Sequence, residues 1–189
     1  MGDREFPDRV RKLLASRTPR KAHDTALKQA SVLLPLFEGQ AGGAPALWLV
    51  RRSVEMRAHS GQVALPGGKR EPGDVDLLAT ALREMHEEIG LVPGEVDVLG
   101  ALDDYATHTG FVITPYVGWV SNPFTPEPRA TEVARVFAVP LATFDVDPRP
   151  ITMSLGSSKR IVLSYEAAGE TIWGITAAIL RRFSELLSK

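Results

Sequence analysis

Three glutamates in residues 83–90 (REMHEEIG) have a spacing that could bind a divalent cation. If this segment is helical, Glu84, Glu87 and Glu88 fall within roughly a 100° arc, because an α-helix has about 3.6 residues per turn. If the helix also includes the residues just before this segment, its apolar residues occupy a separate arc, and these are Leu78, Ala81, Leu82, Met85 and Ile89. One side of the helix is therefore predicted to join the core, and another to present three carboxylates.

Two interpretations of this acidic face compete. Glutamates on a helix usually form a solvated surface. Glu84 and Glu88, however, are like charges four residues apart, which destabilises a helix by a few tenths of a kcal/mol. They also lie near the end of the helix, where its dipole disfavours anions. A bound cation would remove both penalties, and a ligand set made only of oxygens favours Mg2+ or Mn2+ over zinc.

The chain before this helix also favours a binding site. Residues 66–68 (PGG) form a break, where bare backbone can approach a ligand or a metal closely. The helix is predicted to run from about Asp76, as its N-cap, to Ile89, with Gly90 as the residue that ends it.

Residues 68–91 resemble the Nudix box, whose pattern is Gly, five residues, Glu, seven residues and then Arg-Glu-apolar-any-Glu-Glu-any-Gly-apolar. This sequence supplies Gly68 and then residues 83–91 (REMHEEIGL). The spacing between these two parts is one residue longer than in the general box, and no Glu stands at the first acidic position. Asp74 or Asp76 is expected to fill that position.

The resemblance implies a metal-dependent hydrolase and assigns roles to residues of the box. Glu84 and Glu88 would be the main Mg2+ ligands, and Glu87 would be a third ligand or the catalytic group that holds a metal-bound water. Gly68 would offer its carbonyl to the metal, and Arg83 would orient a carboxylate through a charge-assisted bond. Mg2+ would neutralise a diphosphate and lower the pKa of a bound water.

The longer spacing resembles that of the coenzyme A pyrophosphatase branch, which has a second signature upstream of the box. Its approximate pattern is Leu-Leu-Thr-x-Arg-Ser, then Arg, His, Gly-Gln and Phe-Pro-Gly-Gly. The matching segments here are residues 49–53 (LVRRS), Arg57, His59, residues 61–62 (GQ) and residues 65–68 (LPGG). Val50, Arg51 and Leu65 depart from the commonest form, and none of these departures removes a group expected to be catalytic.

Positive and polar side chains around the predicted site are candidates for binding the substrate. The set comprises Arg51, Arg52, Arg57, His59, Gln62, Lys69 and the neighbouring Arg70. Coenzyme A carries a 3'-phosphate besides its diphosphate, so it needs additional cationic contacts. The alternative for each arginine is ordinary surface charge, and the upstream signature favours Arg57 and His59.

Glu132 lies outside the box, just before a predicted strand and after a turn region rich in proline. Nudix enzymes often complete their site with an acidic residue outside the box, as a further metal ligand or as the general base. Functional groups also often lie on loops beside a rigid scaffold. We therefore predict a catalytic role for Glu132, with an exposed loop carboxylate as the alternative.

The remaining pattern mixes strands with a few helices and predicts an α/β or α+β fold with a sheet between helical layers. A helix is predicted over residues 7–16 and another over residues 171–187, the latter including Ile172. Strands are predicted over residues 31–37, 47–51, 96–99, 111–120, 133–139 and 161–165. Pro35 indicates an edge strand or a bulge. The resemblance implies a Nudix-type α/β/α sandwich around a mixed sheet, with residues 1–25 as an N-terminal helix and connector and residues 26–189 as the Nudix domain.

Composition excludes several function classes. The 189 residues suit one domain with a sizeable core. A net charge of −1 gives no general attraction to nucleic acid or to an anionic membrane. The absence of cysteine excludes disulfides, thiolate metal sites and a cysteine nucleophile. The sequence shows neither a secretory signal nor a membrane span, so we expect a cytoplasmic enzyme with a small nucleotide diphosphate substrate, and leave a homodimer open.

The first functional hypothesis is hydrolysis of coenzyme A to 3'-phospho-AMP and 4'-phosphopantetheine. The second is hydrolysis of another nucleoside diphosphate derivative, such as a sugar nucleotide, ADP-ribose or an oxidised nucleotide. The box does not separate these two, because it contacts only the metal and the diphosphate. A non-catalytic binding module is the third, and the intact Glu84, Glu87 and Glu88 argue against it.

Overall fold

The computed structural model describes residues 5–22, 26–39, 43–55, 60–155 and 158–188, and this part of the chain forms two β-sheets, three α-helices and two short 3-10 helices (Pro93–Glu95 and Leu141–Phe144). The helices are α1 (Glu5–Ala15), α2 (Leu77–Ile89) and α3 (Gly174–Leu187). The strands are β1 (Lys28–Gly39), β2 (Gly43–Arg52), β3 (Val63–Ala64), β4 (Gly67–Lys69), β5 (Val96–Ala101), β6 (Tyr105–Ala106), β7 (Phe111–Val120), β8 (Val133–Pro140), β9 (Arg149–Leu155), β10 (Ser158–Ala167) and β11 (Glu170–Trp173).

The larger sheet is mixed and, within the described residues, has eight strands. Its main path is β3-β2-β1-β7-β5, with β4 beside β1, β6 beside β7 and β8 beside β2. β1 and β7 are parallel, and the other pairs are antiparallel. The smaller sheet is antiparallel in the order β11-β10-β9. The mixed sheet predicted from the sequence is confirmed.

Helices cover both faces of the larger sheet because neighbouring residues of its strands point to opposite sides. Leu33 and Trp48 pack with Met85 of α2 in one buried cluster. The next residues along the two strands, Leu34 and Leu49, pack in a second cluster. That second cluster also contains the buried residues of α1 and α3, which include Phe6, Val10, Leu14, Ile179 and Phe183. The chain therefore has the predicted α/β/α sandwich.

The predicted bounds of α2 are confirmed. The Asp76 side chain accepts a hydrogen bond from the backbone N–H of Ala79 at 2.7 Å, as an N-cap does. Gly90 follows the helix with φ 81° and donates its N–H to the carbonyl of His86 at 2.9 Å. His86 is exposed on this helix, in agreement with its variable position in the box.

The start of the last helix was predicted too early. Ile172 lies on β11, where it pairs with Tyr165 of β10, and α3 begins at Gly174. Its spacing from Ile175 and Ile179 is compatible with a helix, but pairing with β10 determines its conformation. Tertiary pairing here overrides a local pattern.

The prediction that Pro35 marks an edge strand or a bulge was also wrong, because β1 lies inside the sheet and Pro35 pairs with Gly118 of β7. Leu33 donates its N–H to the carbonyl of Pro66 on the other side of β1 at 2.9 Å, and Pro35 faces that same side two residues later. There β1 changes partner, from β4 at residues 30–32 to β2 at residues 36–39. The missing N–H of proline is therefore tolerated in the interior of the sheet.

The N-terminal helix and the chain that follows it are attached to the sheet. Arg11 of α1 donates to the carbonyl of Val98 at 3.0 Å. The buried carboxylate of Asp103 forms ion pairs with Arg17 and Arg20. Throughout the described ranges, no helix has the length and apolar character needed to cross a membrane.

Candidate active site

The two glycines before α2 bring bare backbone against its acidic face. A Cβ atom added at Gly68 would lie 2.3 Å from the Glu84 carboxyl carbon, which is far inside van der Waals contact. At Gly67, where φ is +153°, a Cβ would lie 2.3 Å from the carbonyl oxygen of Ser31. Only glycine fits at position 67, and a side chain at position 68 would have to displace the Glu84 carboxylate. The close approach expected from the sequence is present.

Glu88 is the most deeply buried carboxylate of the site. Its Oε2 accepts a hydrogen bond from the Gly67 N–H at 3.0 Å, and its Oε1 accepts one from Arg52 at 3.3 Å. Burial raises the pKa of Glu88 to about 7, although Arg52 and the Gly67 N–H act in the opposite direction. The charges of Glu84 and Glu132 raise this pKa further.

Glu84 and Glu87 are bound to the same arginine but differ in exposure. Arg83 donates from Nη1 to Glu84 at 3.1 Å and to Glu87 at 3.3 Å. Glu84 is half-buried, and burial raises its pKa, an effect that Arg83 opposes. Glu87 lies at the exposed edge of the face. The three carboxylates therefore form a gradient from buried Glu88 to solvated Glu87.

Arg83 is fixed from behind by a buried aspartate. Its Nε and Nη2 donate to the two carboxylate oxygens of Asp74 at 2.9 and 3.1 Å. Asp74 also accepts from the Glu71 N–H and from the Thr80 hydroxyl, and the Arg83 hydrogen bond holds its pKa well below the usual range. Of the two aspartates expected at the first acidic position, Asp74 orients Arg83 and Asp76 caps α2.

Glu132 lies close to the box carboxylates, although it is 44 residues from Glu88 along the chain. The loop before β8 runs along the end of α2, where the Arg129 N–H donates to the carbonyl of Glu88 at 3.1 Å. The negative charge of Glu132 raises the pKa of both Glu84 and Glu88, so these groups interact through space. The Glu132 side chain is one-third exposed and forms an ion pair with Arg129 at 3.5 Å.

The donor chemistry of this cluster suits a hard divalent cation. Its carboxylates outnumber the guanidinium groups that contact them. Burial is the main cause of the raised pKa values of Glu84 and Glu88, and the charges of neighbouring glutamates raise both values further. Within the described part of the chain, no group of three or more acidic or histidine side chains is close enough to form a complete metal site. The carboxylates are instead bound to Arg52, Arg83 and the Gly67 N–H.

The basic residues grouped by the sequence do not form one cluster. Arg52 points to the α2 side of the sheet and contacts Glu88, whereas Arg51 points to the opposite side and contacts Glu170 of β11. The alternation of side chains along β2 explains this separation and could have predicted it. Arg135 of β8, which also contacts Glu170, and Glu170 itself carry no local sequence signal and were not predicted.

The remaining residues predicted to bind substrate lie in different surroundings. The Gln62 carbonyl accepts a hydrogen bond from the Arg52 N–H at 3.0 Å, at the base of the loop that follows β2. Lys69 is exposed beside Gly68, with its Nζ 5.5 Å from the centre of the Phe111 ring. Arg57 and His59 lie outside the described residues.

Comparison with known proteins identifies the family. The NUDIX domain model matches residues 27–153. The uncharacterized Nudix hydrolase NudL of Yersinia enterocolitica is 40% identical over 159 residues, covering 82% of this chain and 80% of the relative. NudL of Salmonella newport is 37% identical over 177 residues, covering 88% and 86% of the two chains.

Solved structures show the same fold. The Nudix hydrolase RenU from M. smegmatis has a TM-score of 0.59 and 22% identity, covering 85% of this chain and 86% of that one. The MutT protein from Methanosarcina mazei has a TM-score of 0.56 and 19% identity, covering 92% and 99%. The domain match and the sequence relatives together show that the chain belongs to the Nudix hydrolase family.

Proposed function

We propose that this enzyme hydrolyses the diphosphate bond of coenzyme A or its derivatives with Mg2+ or Mn2+. The observation that carries the proposal is the contact between Arg52 and the buried carboxylate of Glu88. Arg52 is the last residue of β2, and the loop that follows carries the rest of the upstream signature, including Arg57 and His59. This contact holds the start of that segment at the acidic cluster, which supports a substrate site that includes both.

Glu84 and Glu88 are the residues that would hold the metal, with Glu87 as a third ligand and the Gly68 carbonyl beside them. When bound, the cation would neutralise the diphosphate and lower the pKa of a coordinated water. Arg83, held by Asp74, keeps Glu84 and Glu87 in position. The missing side chain at Gly68 lets the Glu84 carboxylate lie directly against the backbone of residue 68.

Hydrolysis needs a base that accepts a proton from the attacking water. The water oxygen bonds to one phosphorus, the bridging oxygen leaves with the other phosphate, and a carboxylate takes the proton. Glu87 and Glu132 are the candidates, because both are partly exposed at the edge of the cluster. The products are 3'-phospho-AMP and 4'-phosphopantetheine.

A substrate panel tests the proposal against its alternatives. Coenzyme A, 3'-dephospho-coenzyme A, ADP-ribose, a sugar nucleotide and an oxidised nucleotide are compared at equal concentration with Mg2+, and with a chelator as the control. We expect the highest kcat/KM for coenzyme A, about tenfold or more above the dephosphorylated form, because a charged phosphate contact contributes about 1.5–3 kcal/mol. A higher kcat/KM for another compound would identify that compound, instead of coenzyme A, as the preferred substrate. If none of the compounds is hydrolysed, the result would favour a binding module.

A further inference from the structure

Two arginines lie directly opposite each other at one end of the larger sheet. Arg51 of β2 and Arg135 of β8 are paired residues in the antiparallel register and share one face. Like charges at directly opposed positions destabilise a sheet. Both guanidinium groups reach the carboxylate of Glu170 on β11, Arg51 at 3.2 Å and Arg135 at 3.2 Å.

This arrangement leaves one positive charge without a counterpart among its described contacts. Glu170 is buried and carries a single negative charge, which one arginine would neutralise. The side chains of Arg51 and Arg135 are 44% and 49% exposed, so part of each guanidinium faces solvent. Their surplus charge is therefore available to an anion.

The orientation of Arg135 is fixed by more than the ion pair. Its Nη1 also donates to the carbonyl of Ala168 at 3.2 Å, in the turn between β10 and β11. Its guanidinium carbon lies 5.1 Å from the centre of the Phe137 ring. An arginine held in this way loses little conformational entropy when it binds a ligand.

The pair lies next to the acidic cluster but on the other side of the sheet. Arg51 precedes Arg52, which contacts Glu88 on the α2 side. The end of β2 therefore has carboxylates on one face and paired guanidinium groups on the other. A substrate that contacts both the carboxylates and these arginines would have to extend around the strand end.

We propose that Arg51 and Arg135 form an anion subsite that binds the phosphomonoester of the nucleotide half of the substrate, its 3'-phosphate. This inference rests on the proposed coenzyme A substrate and identifies the residues that would distinguish it from other diphosphates. A phosphomonoester suits the subsite because its dianionic charge and its three terminal oxygens can accept hydrogen bonds from two planar guanidinium groups at once.

Single substitutions can test the subsite without leaving a buried charge unpaired. In Arg135→Met the Glu170 carboxylate keeps Arg51, and in Arg51→Met it keeps Arg135, so both variants are expected to fold. Arg11→Met is the matched control, because Arg11 is also a partly exposed arginine paired with a strand carboxylate, that of Asp97 on β5 at the other end of the sheet.

The first measurement is the ratio of kcat/KM for coenzyme A to that for 3'-dephospho-coenzyme A. We expect a ratio of about ten or more in the wild type and in Arg11→Met, and a fall of about fivefold or more in Arg51→Met and Arg135→Met. The kcat/KM for the dephosphorylated substrate should stay nearly constant. Equal losses for both substrates, or an unchanged ratio in both variants, would overturn the subsite.

The second measurement separates the subsite from the reaction. Calorimetry compares the binding of adenosine 3',5'-bisphosphate with that of 5'-AMP, and the wild type should prefer the bisphosphate by about tenfold, a preference lost in Arg135→Met. If coenzyme A is not hydrolysed but this pattern holds, the proposed function fails and the subsite stands. If coenzyme A is hydrolysed and the wild type binds both nucleotides equally, the subsite fails and the function stands.

Discussion

Glu88 combines near-complete burial with a direct contact to the backbone of Gly67, and Glu84 lies one helical turn before it. Glu84→Gln and Glu88→Gln should each lower kcat by about 100-fold or more, because each removes a proposed metal ligand. Glutamine keeps an oxygen that can accept hydrogen bonds, so circular dichroism should show an intact fold. Glu95→Gln, which changes an exposed carboxylate after α2, is the control. Near-normal turnover of both site variants at saturating Mg2+ would exclude the metal assignment.

A substitution of Gly68 tests whether the close contact between its backbone and the Glu84 carboxylate is needed for activity. A methyl group at this position would overlap the Glu84 carboxylate, so Gly68→Ala should displace Glu84 and lower kcat by about tenfold or more. Gly73→Ala is a matched control, because nothing lies within 4 Å of a Cβ added there. Steady-state kinetics that give the same kcat for the two variants would show that Glu84 can move without loss of function.

Glu132 has two catalytic interpretations that kinetics can separate. If it is the general base, Glu132→Gln should lower kcat much more than it raises KM and should flatten the acidic limb of the pH–rate profile. If it binds metal, higher Mg2+ should partly restore activity. Glu127→Gln, in the same loop and exposed, is the control. Unchanged kcat, KM and Mg2+ dependence would identify Glu132 as a surface residue and leave Glu87 as the candidate base.

The sequence could predict those site residues whose geometry depends on local periodicity. Helical spacing alone places Glu84, Glu87 and Glu88 on one face. The contact between Arg51 and Glu170 joins residues 119 positions apart, and it depends on how β11 packs beside β3, the neighbour of β2 in the larger sheet. No local pattern contains that information, which is why Glu170 and Arg135 could not be predicted.

At the scale of elements, α2 was predicted almost to the residue because its limits are set by its own caps. The Asp76 side chain and the left-handed Gly90 act on the backbone within a few residues. The short strands β3, β4 and β6 were not predicted, because strands of two or three residues exist only through their partners. Ile172 was assigned to the wrong element for the same reason, since its partner on β10 determines its conformation.

Substitutions of the two aspartates before α2 should have different effects on stability and on kcat. Asp76→Ala removes the N-cap and should lower the free energy of unfolding by about 1 kcal/mol without changing kcat. Asp74→Asn removes the charge that holds Arg83, and should lower both stability and kcat, the former by about 1–3 kcal/mol. Urea unfolding and steady-state kinetics on both variants test this distinction. Equal effects on kcat would contradict it.

For the whole molecule, the crowded carboxylates predict a pH dependence of stability in the metal-free protein. The pKa of Glu88 rises from its ordinary value of 4.5 to about 7 in the folded state. Its contribution to stability is therefore fully present below pH 4.5 and is lost as the pH rises through 7. Glu84, whose pKa is also raised, acts in the same direction. The pKa values of Asp74 and Asp103 are lowered, so the stability that these two carboxylates contribute is lost only under acidic conditions.

Urea unfolding in a chelator should show the wild type less stable at pH 8 than at pH 5. The expected difference is up to about 3 kcal/mol, since each pKa unit corresponds to about 1.4 kcal/mol. Glu88→Gln should lose most of this difference, and Mg2+ should restore stability at pH 8 in the wild type. The same pH dependence in Glu88→Gln would show that another group is responsible.

Two backbone hydrogen bonds hold the ends of the segment between β2 and β3 in place, and this makes the segment suitable for replacement by protein engineering. The Arg52 N–H binds the Gln62 carbonyl at 3.0 Å, and the Ser53 N–H binds that of Glu132 at 2.8 Å. Each doubling of a flexible loop's length costs only about 0.6 kcal/mol of closure free energy. The chain between Ser53 and Gln62 could thus be replaced by one of another length or composition while α2 and its carboxylates keep their geometry, so we expect chimeric enzymes to keep the hydrolytic site.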